Sequence, residues 1–202
     1  MATLLSMAAL KSELPDTFTT RTARRLGLHP RELYRMRDDG DLVELSRGVF
    51  RRVDAPAPSL PDLLAIAYRV PVAITCCVSA AAVHELTDEI PRAVQIAVPR
   101  TQRPPHIEQP PVEVFRFAVK TFELGLSSVE AAPGESVRIY SPARTVVDLM
   151  RLRGRLGEPL ALGALRRYLR RRGARPGELL TLARSLGVLG SVRIAIDVAS
   201  AE

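Results

Sequence analysis

Lysine is nearly absent from this 202-residue chain: of its 29 basic residues only Lys11 and Lys120 are lysine. Neither has an acid two positions before it, where Ala9 and Ala118 stand, so the E-x-K or D-x-K pair of a restriction-type nuclease is missing. Cysteine is scarce as well. Cys76 and Cys77 are adjacent, which makes them poor partners for each other and excludes a disulfide framework. They read as small apolar core residues. The three histidines, His29, His84 and His106, are scattered, and His84-Glu85 lacks the second histidine of a zinc-binding H-E-x-x-H. There is no G-x-S-x-G elbow and no glycine loop ending in Lys-Ser/Thr to cradle a phosphate. Cys76 and His84 read as packing residues rather than as a nucleophile and its base. These absences argue against an enzyme and against any metal or cofactor.

Long apolar runs are missing too. The longest weakly polar stretch, residues 70–83, is broken by Pro71, Thr75 and Ser79 and is shorter than the roughly 20 residues a spanning helix needs. Residues 1–10 lack the basic start and full apolar stretch of a secretory leader, so a cytoplasmic location is expected.

What is present is an ordinary globular composition, 47% hydrophobic and 25% charged, enough to build real cores. The 29 basic residues exceed 22 acidic ones by 7, and a sequence pI near 10.2 points to a polyanionic partner. An arginine bias with abundant Ala and Leu also fits GC-rich coding, so position matters more than number.

Three prolines in residues 54–61 cannot continue a helix or a central strand, which sets an expected boundary between domains 1–55 and 56–202. In the first domain, Leu4, Leu5, Ala8 and Leu14 suggest a helix ending before Pro15. A second helix should start near Thr19 or Thr20, whose hydroxyls can cap it, and stop at Gly27. A third fits residues 30–39, with Pro30 in its first turn and Gly40 after its end. Residues 42–45 and 49–53 then flank Ser46-Arg47-Gly48, a turn whose glycine can close a hairpin. Helices followed by a hairpin describe a winged helix-turn-helix.

Beyond the linker, residues 61–70 read as a helix, Ser79 as the cap of a short helix over 80–86, and residues 94–98, 112–117 and 137–140 as strands. A proline-rich loop separates the first two strands. Ser141-Pro142 supplies a cap and first-turn proline for a helix to about Leu152, and the pattern stays helical from Glu158, with breaks near 173–177 and 187–190. The fold class is α+β: a winged helix, then a mixed α/β domain ending in helices.

Ala23, Gly27 and Leu33 have the spacing of a helix-turn-helix core: alanine leaves room for the next helix, glycine turns the chain, leucine anchors the third helix. On a helical wheel Leu33 and Met36 point inward, while Arg31, Tyr34, Arg35 and Asp38 point away. Arginine offers paired donors to guanine edges or charge to phosphates, and tyrosine a further backbone hydrogen bond. Thr20 and Arg21, at the start of the second helix, and Arg47, at the wing tip, complete the expected DNA-binding set. The bland alternative is a protein-interaction module whose arginines are a solvated face, and residues 1–55 carry only 10 basic against 8 acidic residues.

The winged-helix unit followed by Ser79-Ala80-Ala81, His84-Glu85-Leu86-Thr87-Asp88-Glu89-Ile90-Pro91, Ile96-Ala97-Val98-Pro99-Arg100 and Ile139-Tyr140-Ser141-Pro142-Ala143-Arg144-Thr145-Val146-Val147-Asp148-Leu149, most specifically its part from Tyr140, resembles the AbiEi-type antitoxins. The resemblance implies a type IV antitoxin that counteracts a nucleotidyltransferase toxin and represses its own operon, its partners being operator DNA and, without a stable complex being required, the toxin. From the residues alone, Arg144 and Asp148 read as a helix-surface ion pair worth a few tenths of a kcal/mol. Residues 151–175 hold nine arginines against Glu158 alone. With Leu162, Leu165 and Leu169 facing a core, Arg166, Arg167, Arg170 and Arg171 form an expected second basic surface. Two other readings remain open at this stage: a winged-helix regulator with a ligand- or partner-binding second domain, and, disfavoured by the missing catalytic groups, an RNA-processing enzyme.

Overall fold

Local chemistry sets the first elements of the chain, which a computed structural model describes over residues 13–201. Strand β1 (Thr17–Thr19) ends where Thr19 leaves extended backbone and caps helix α1 (Thr20–Arg25), its hydroxyl accepting the Thr22 amide at 3.2 Å. Gly27, at φ +89°, takes the left-handed conformation that turns the chain. Helix α2 (Pro30–Asp38) then opens with proline in its first turn, and His29 and Glu32 close a capping box: His29 Nδ1 accepts from the Arg31 amide, and Glu32 from that of His29. Strands β2 (Leu42–Ser46) and β3 (Val49–Arg52) form the wing around Gly48. The sheet order is β1-β3-β2, antiparallel throughout. Its core collects Leu14, Phe18, Ala23, Leu28, Leu33, Met36, Leu42 and Phe50.

This is the winged helix expected from the sequence, with one strand unforeseen. β1 is three residues long, too short for a pattern, and exists because its backbone pairs with β3 in register Thr17↔Arg51 to Thr19↔Val49. The helix expected over Leu4, Leu5 and Ala8 lies outside the described residues.

The chain divides into two compact units, residues 1–71 with 130–136, and residues 72–129 with 137–202. The boundary expected between residues 55 and 56 thus falls inside the first unit. Helix α3 (Pro61–Arg69) belongs to that unit and packs against β2 and β3. The proline-rich segment before it is stitched down rather than free: the Arg51 guanidinium donates to the Pro56 carbonyl, and the Leu60 amide and Ser59 hydroxyl donate to Ala131 O at 3.1 and 3.2 Å.

The second unit is built on a sheet of order β6-β5-β4-β8-β7. Its strands are β4 (Ile74–Thr75), β5 (Val94–Pro99), β6 (Val112–Phe117), β7 (Leu126–Ala132) and β8 (Glu135–Tyr140). β4 runs antiparallel to β5 and parallel to β8, while β5 and β6 are parallel. Residues 130–136, the end of β7, the turn and the start of β8, count with the first unit.

Helix α4 (Cys77–Val83) starts three residues earlier than the sequence suggests, and Ser79 is not its cap. The side chain of Gln95, from β5, does that work, accepting the Val78 amide at 2.7 Å, while the Ser79 hydroxyl accepts from the Gln95 amide at 2.9 Å. Helix α5 (Pro142–Arg151) is capped by Ser141, as its sequence implies, and every residue from Ala143 to Met150 is buried. Around it lie α6 (Arg153–Leu156), α7 (Glu158–Arg170), α8 (Pro176–Ser185) and α9 (Leu189–Ala201). No helix among the described residues is long and apolar enough to cross a membrane.

Candidate nucleic-acid interface

Helix α2 carries its apolar side, Leu33 and Met36, into the core at 1% and 3% exposure and leaves Arg31, Tyr34, Arg35 and Asp38 outside. Tyr34 stands with its ring edge against Phe50, centroids 6.1 Å apart, and Arg37 lies 5.0 Å over its face. The phenol is therefore held upright on the exposed side of the helix, between an aromatic core residue and a guanidinium.

The wing is pinned from both sides. Glu44 on β2 accepts the Gly48 amide at 2.9 Å through one oxygen and Arg37 of α2 at 3.1 Å through the other. On the opposite face, the Gly48 carbonyl accepts the Thr20 amide at 3.0 Å and the Thr20 hydroxyl at 3.4 Å. Arg69 of α3 donates to the Arg47 carbonyl. One carboxylate and one threonine thus tie the recognition helix, the start of α1 and the turn bearing Arg47 together. Thr20 is half-buried, its hydroxyl used on the wing, whereas Arg21, Arg31, Arg35 and Arg47 are exposed.

Charge in this unit is sorted. Arg37 pairs with Asp38 and Glu44, Arg51 with Glu135, and Arg52 with Asp54. Among the described residues, Arg21, Arg31, Arg35 and Arg47 enter no ion pair, and neither do Arg24 and Arg25 at the end of α1. A net of only +2 over residues 1–55 conceals a set of unneutralised guanidiniums on the recognition helix, the start of α1 and the wing.

The second basic surface is less uniform than its sequence suggests. Arg166, Arg167, Arg170 and Arg171 are exposed, while Leu165 is buried and Leu162 and Leu169 pack against the core. Yet Arg167 forms a bidentate pair with Asp88, Arg171 donates to the His84 carbonyl at 3.4 Å, and Arg166 is engaged as well. Within the same run Arg151 meets Asp148 at 2.9 Å, Arg153 meets Glu158 at 3.7 Å, and Arg155 bonds Glu113 and stacks on Phe115. Acids distant in sequence neutralise much of the apparent excess.

Arg144 and Asp148 are not a surface pair. Both side chains are fully buried, 2.8 Å apart, and Arg144 also donates to the carbonyls of Thr121 and Leu124 while lying 4.2 Å over the Tyr140 ring. Burial pushes the Asp148 carboxyl above the usual carboxylate range, with Arg144 and Arg151 pulling the other way. A charge so enclosed specifies how α5 seats and touches no ligand surface. Cys76 and Cys77 are fully buried among apolar side chains, and burial raises the Cys76 thiol well above its ordinary range. Among the described residues no cluster of three His, Cys, Asp or Glu could hold a metal ion.

No curated protein matches the chain. A crystal structure of the RV2827C protein from Mycobacterium tuberculosis is similar over 92% of this chain and 75% of that one, with a TM-score of 0.56 and 16% identity, a likeness of fold. Residues 7–53, which hold β1, the α1–α2 pair and the wing, match a family described as a transcriptional regulator, the AbiEi antitoxin. Over residues 7–53, then, the chain is similar to the AbiEi antitoxin transcriptional regulators.

Proposed function

We propose that the first unit binds operator DNA of its own operon and represses it, and that the protein counteracts a nucleotidyltransferase toxin. The sorting of charge in the winged helix carries the first half of this reading. Arg31, Tyr34 and Arg35 share the exposed side of α2, where the major groove would lie, and Arg21 and Arg47 flank it. Arg37, Arg51 and Arg52 are already neutralised by acids and are not assigned to DNA. Thr20 acts by holding Gly48, and through it Arg47, in place.

The toxin half rests on the family of residues 7–53 and on the Tyr140–Leu149 segment, which seats a buried helix in the second unit. Arg166, Arg167, Arg170 and Arg171 are assigned a supporting role, as sequence-independent phosphate contacts, with Arg170 the strongest of the four because among the described residues its side chain enters neither an ion pair nor a hydrogen bond.

The test is a fluorescence-anisotropy titration of the full chain with duplex from upstream of its gene. Arg31→Ala and Arg35→Ala should each cost roughly 1–3 kcal/mol if they read base edges, and Arg47→Ala should flatten the salt slope by about 0.9 if it contacts one phosphate. Unchanged affinity in the Arg31→Ala/Arg35→Ala double variant refutes this interface. Co-expression with a nucleotidyltransferase encoded beside the gene tests the antitoxin half: growth arrest undiminished by the soluble protein refutes it.

A further inference from the structure

The nine arginines of residues 151–175 separate into two groups once their neighbours are known. Arg151, Arg153, Arg155 and Arg167 each meet a carboxylate, and Arg166 is engaged. Arg170, Arg171, Arg172 and Arg175 meet none among the described residues. Three of these four, Arg171, Arg172 and Arg175, line one cleft of about 240 Å³ in the second unit. The residual charge of the run is therefore concentrated in a concavity, not spread along a helix.

The walls of that cleft favour an anion for a second, separate reason. Pro142 and Ala143, the first two residues of α5, form one side. The Ser141 cap takes the Arg144 amide at 3.2 Å, leaving that of Ala143 among those a helix start cannot bond internally. The other side is the loop of residues 171–175, which leads into α8. Its shape is fixed from within: the Ala174 amide donates to the Arg171 carbonyl at 3.1 Å, and the Arg175 amide to the Tyr168 hydroxyl at 3.3 Å. Gly173, at φ +82°, permits the bend that brings the flanking arginines to one opening.

Glu178 also lines the cleft. Three guanidiniums against one carboxylate leave a surplus positive charge for a compact anion, while the carboxylate repels a second anionic group further along. A continuous polyanion would have to place a neighbouring phosphate there, whereas a molecule with one terminal phosphate would not. Each arginine fork can bond two oxygens of a carboxylate or a phosphate, and three such forks around one cleft offer enough donors for the several terminal oxygens of a phosphate group.

We propose that this cleft binds the phosphate group of a small phosphomonoester; Arg171 is shared with the DNA phosphate contacts assigned above, so the site is distinguished from them by Arg172 and Arg175. The experiment is isothermal titration calorimetry of the full chain at low ionic strength with AMP and, separately, inorganic phosphate. AMP should bind at one site per chain, and inorganic phosphate should compete for it. Arg172→Gln/Arg175→Gln, which alters exposed side chains and should leave the melting temperature in place, is expected to weaken both probes by at least about tenfold. Glu178→Gln should strengthen both, because it removes a like charge, and Arg170→Gln, outside the cleft, should change neither. The proposal is overturned if neither probe saturates, if adenosine binds as well as AMP, or if Arg170→Gln weakens binding as much as the cleft variant. It is equally overturned if an oligonucleotide lacking a terminal phosphate competes at the same concentration per chain as AMP. DNA affinity is read in parallel, so failure of this site and failure of the winged-helix interface give different results.

Discussion

Replacing Glu135 by Ala should destabilise the first unit from a position more than eighty residues beyond the wing. The Glu135 carboxylate accepts from Arg51 at 2.5 Å, from the Thr17 hydroxyl at 3.2 Å and from the Tyr68 hydroxyl at 2.9 Å, gathering β1, β3 and α3 around one acid. The Arg51 side chain is 4% exposed and that of Glu135 16%, so the pair lies in a low-dielectric setting. Breaking a buried pair by deleting one partner costs about 3–5 kcal/mol, because the other charge stays behind uncompensated. Arg51 keeps the Thr17 hydroxyl and the Pro56 carbonyl, which places the loss near the lower end, about 3 kcal/mol. For a unit of this size that is a fall on the order of 15 °C in melting temperature. Hydrogen exchange read by mass spectrometry over β1–β3 isolates the first unit from the second. Arg51→Met/Glu135→Leu should recover most of the loss, since a pair of apolar residues leaves no orphan charge. A loss under about 1 kcal/mol in Glu135→Ala, or strict additivity of the two single variants, refutes the account.

Gly125→Ala should destabilise the second unit by more than the roughly 1 kcal/mol of left-handed strain, because at φ +72° the added Cβ would sit 2.6 Å from Arg144 Cβ, whereas Gly134→Ala, at φ +76° with open space around it, should cost only the strain; urea midpoints of the two variants check the contrast. His84 donates through Nε2 to the Tyr140 carbonyl at 2.7 Å, and burial lowers its pKa below the ordinary 6.5. The unfolded chain then takes up the proton first, so stability is full above pH 6.5 and declines as the pH falls through the folded-state value, a decline that His84→Gln should flatten in a pH series of thermal unfolding.

How much of this was legible in the residues depended on whether the deciding partner was near in sequence. Thr19 capping α1, Gly27 turning the chain, Pro30 opening α2 and Gly48 closing the wing are local choices, and all could be read directly. Ser79 misled because a serine before an apolar stretch is an ordinary cap, while the side chain that caps α4, Gln95, stands on another element. Arg144, Thr145 and Asp148 occupy one arc of α5, opposite Ala143, Val146, Val147, Leu149 and Met150, a pattern indistinguishable from a helix with a solvent face. The segment carrying Thr121 and Leu124 closes over that arc, and nothing within α5 announces it. Residues 130–136 illustrate the same limit: no property of Glu135 itself ties it to Arg51, and residues 130–136 count with the first unit although they lie about sixty residues further along the chain.

Charge counts failed for a related reason, and in opposite directions in the two units. By net charge the winged helix is barely basic, yet Glu44 spends its charge on Arg37 and the Gly48 amide and so fixes the wing beside α2. The 151–175 run looked strongly basic because Asp88, Glu113 and Asp148 lie outside it in sequence and against it in space. Coulomb attraction falls with distance and with screening, so what a polyanion meets is the set of cations left after neighbouring acids have taken theirs. By that measure α2, the start of α1 and the wing, where Arg21, Arg31, Arg35 and Arg47 enter no ion pair among the described residues, offer a polyanion more unneutralised cations than the net charge of residues 1–55 suggests.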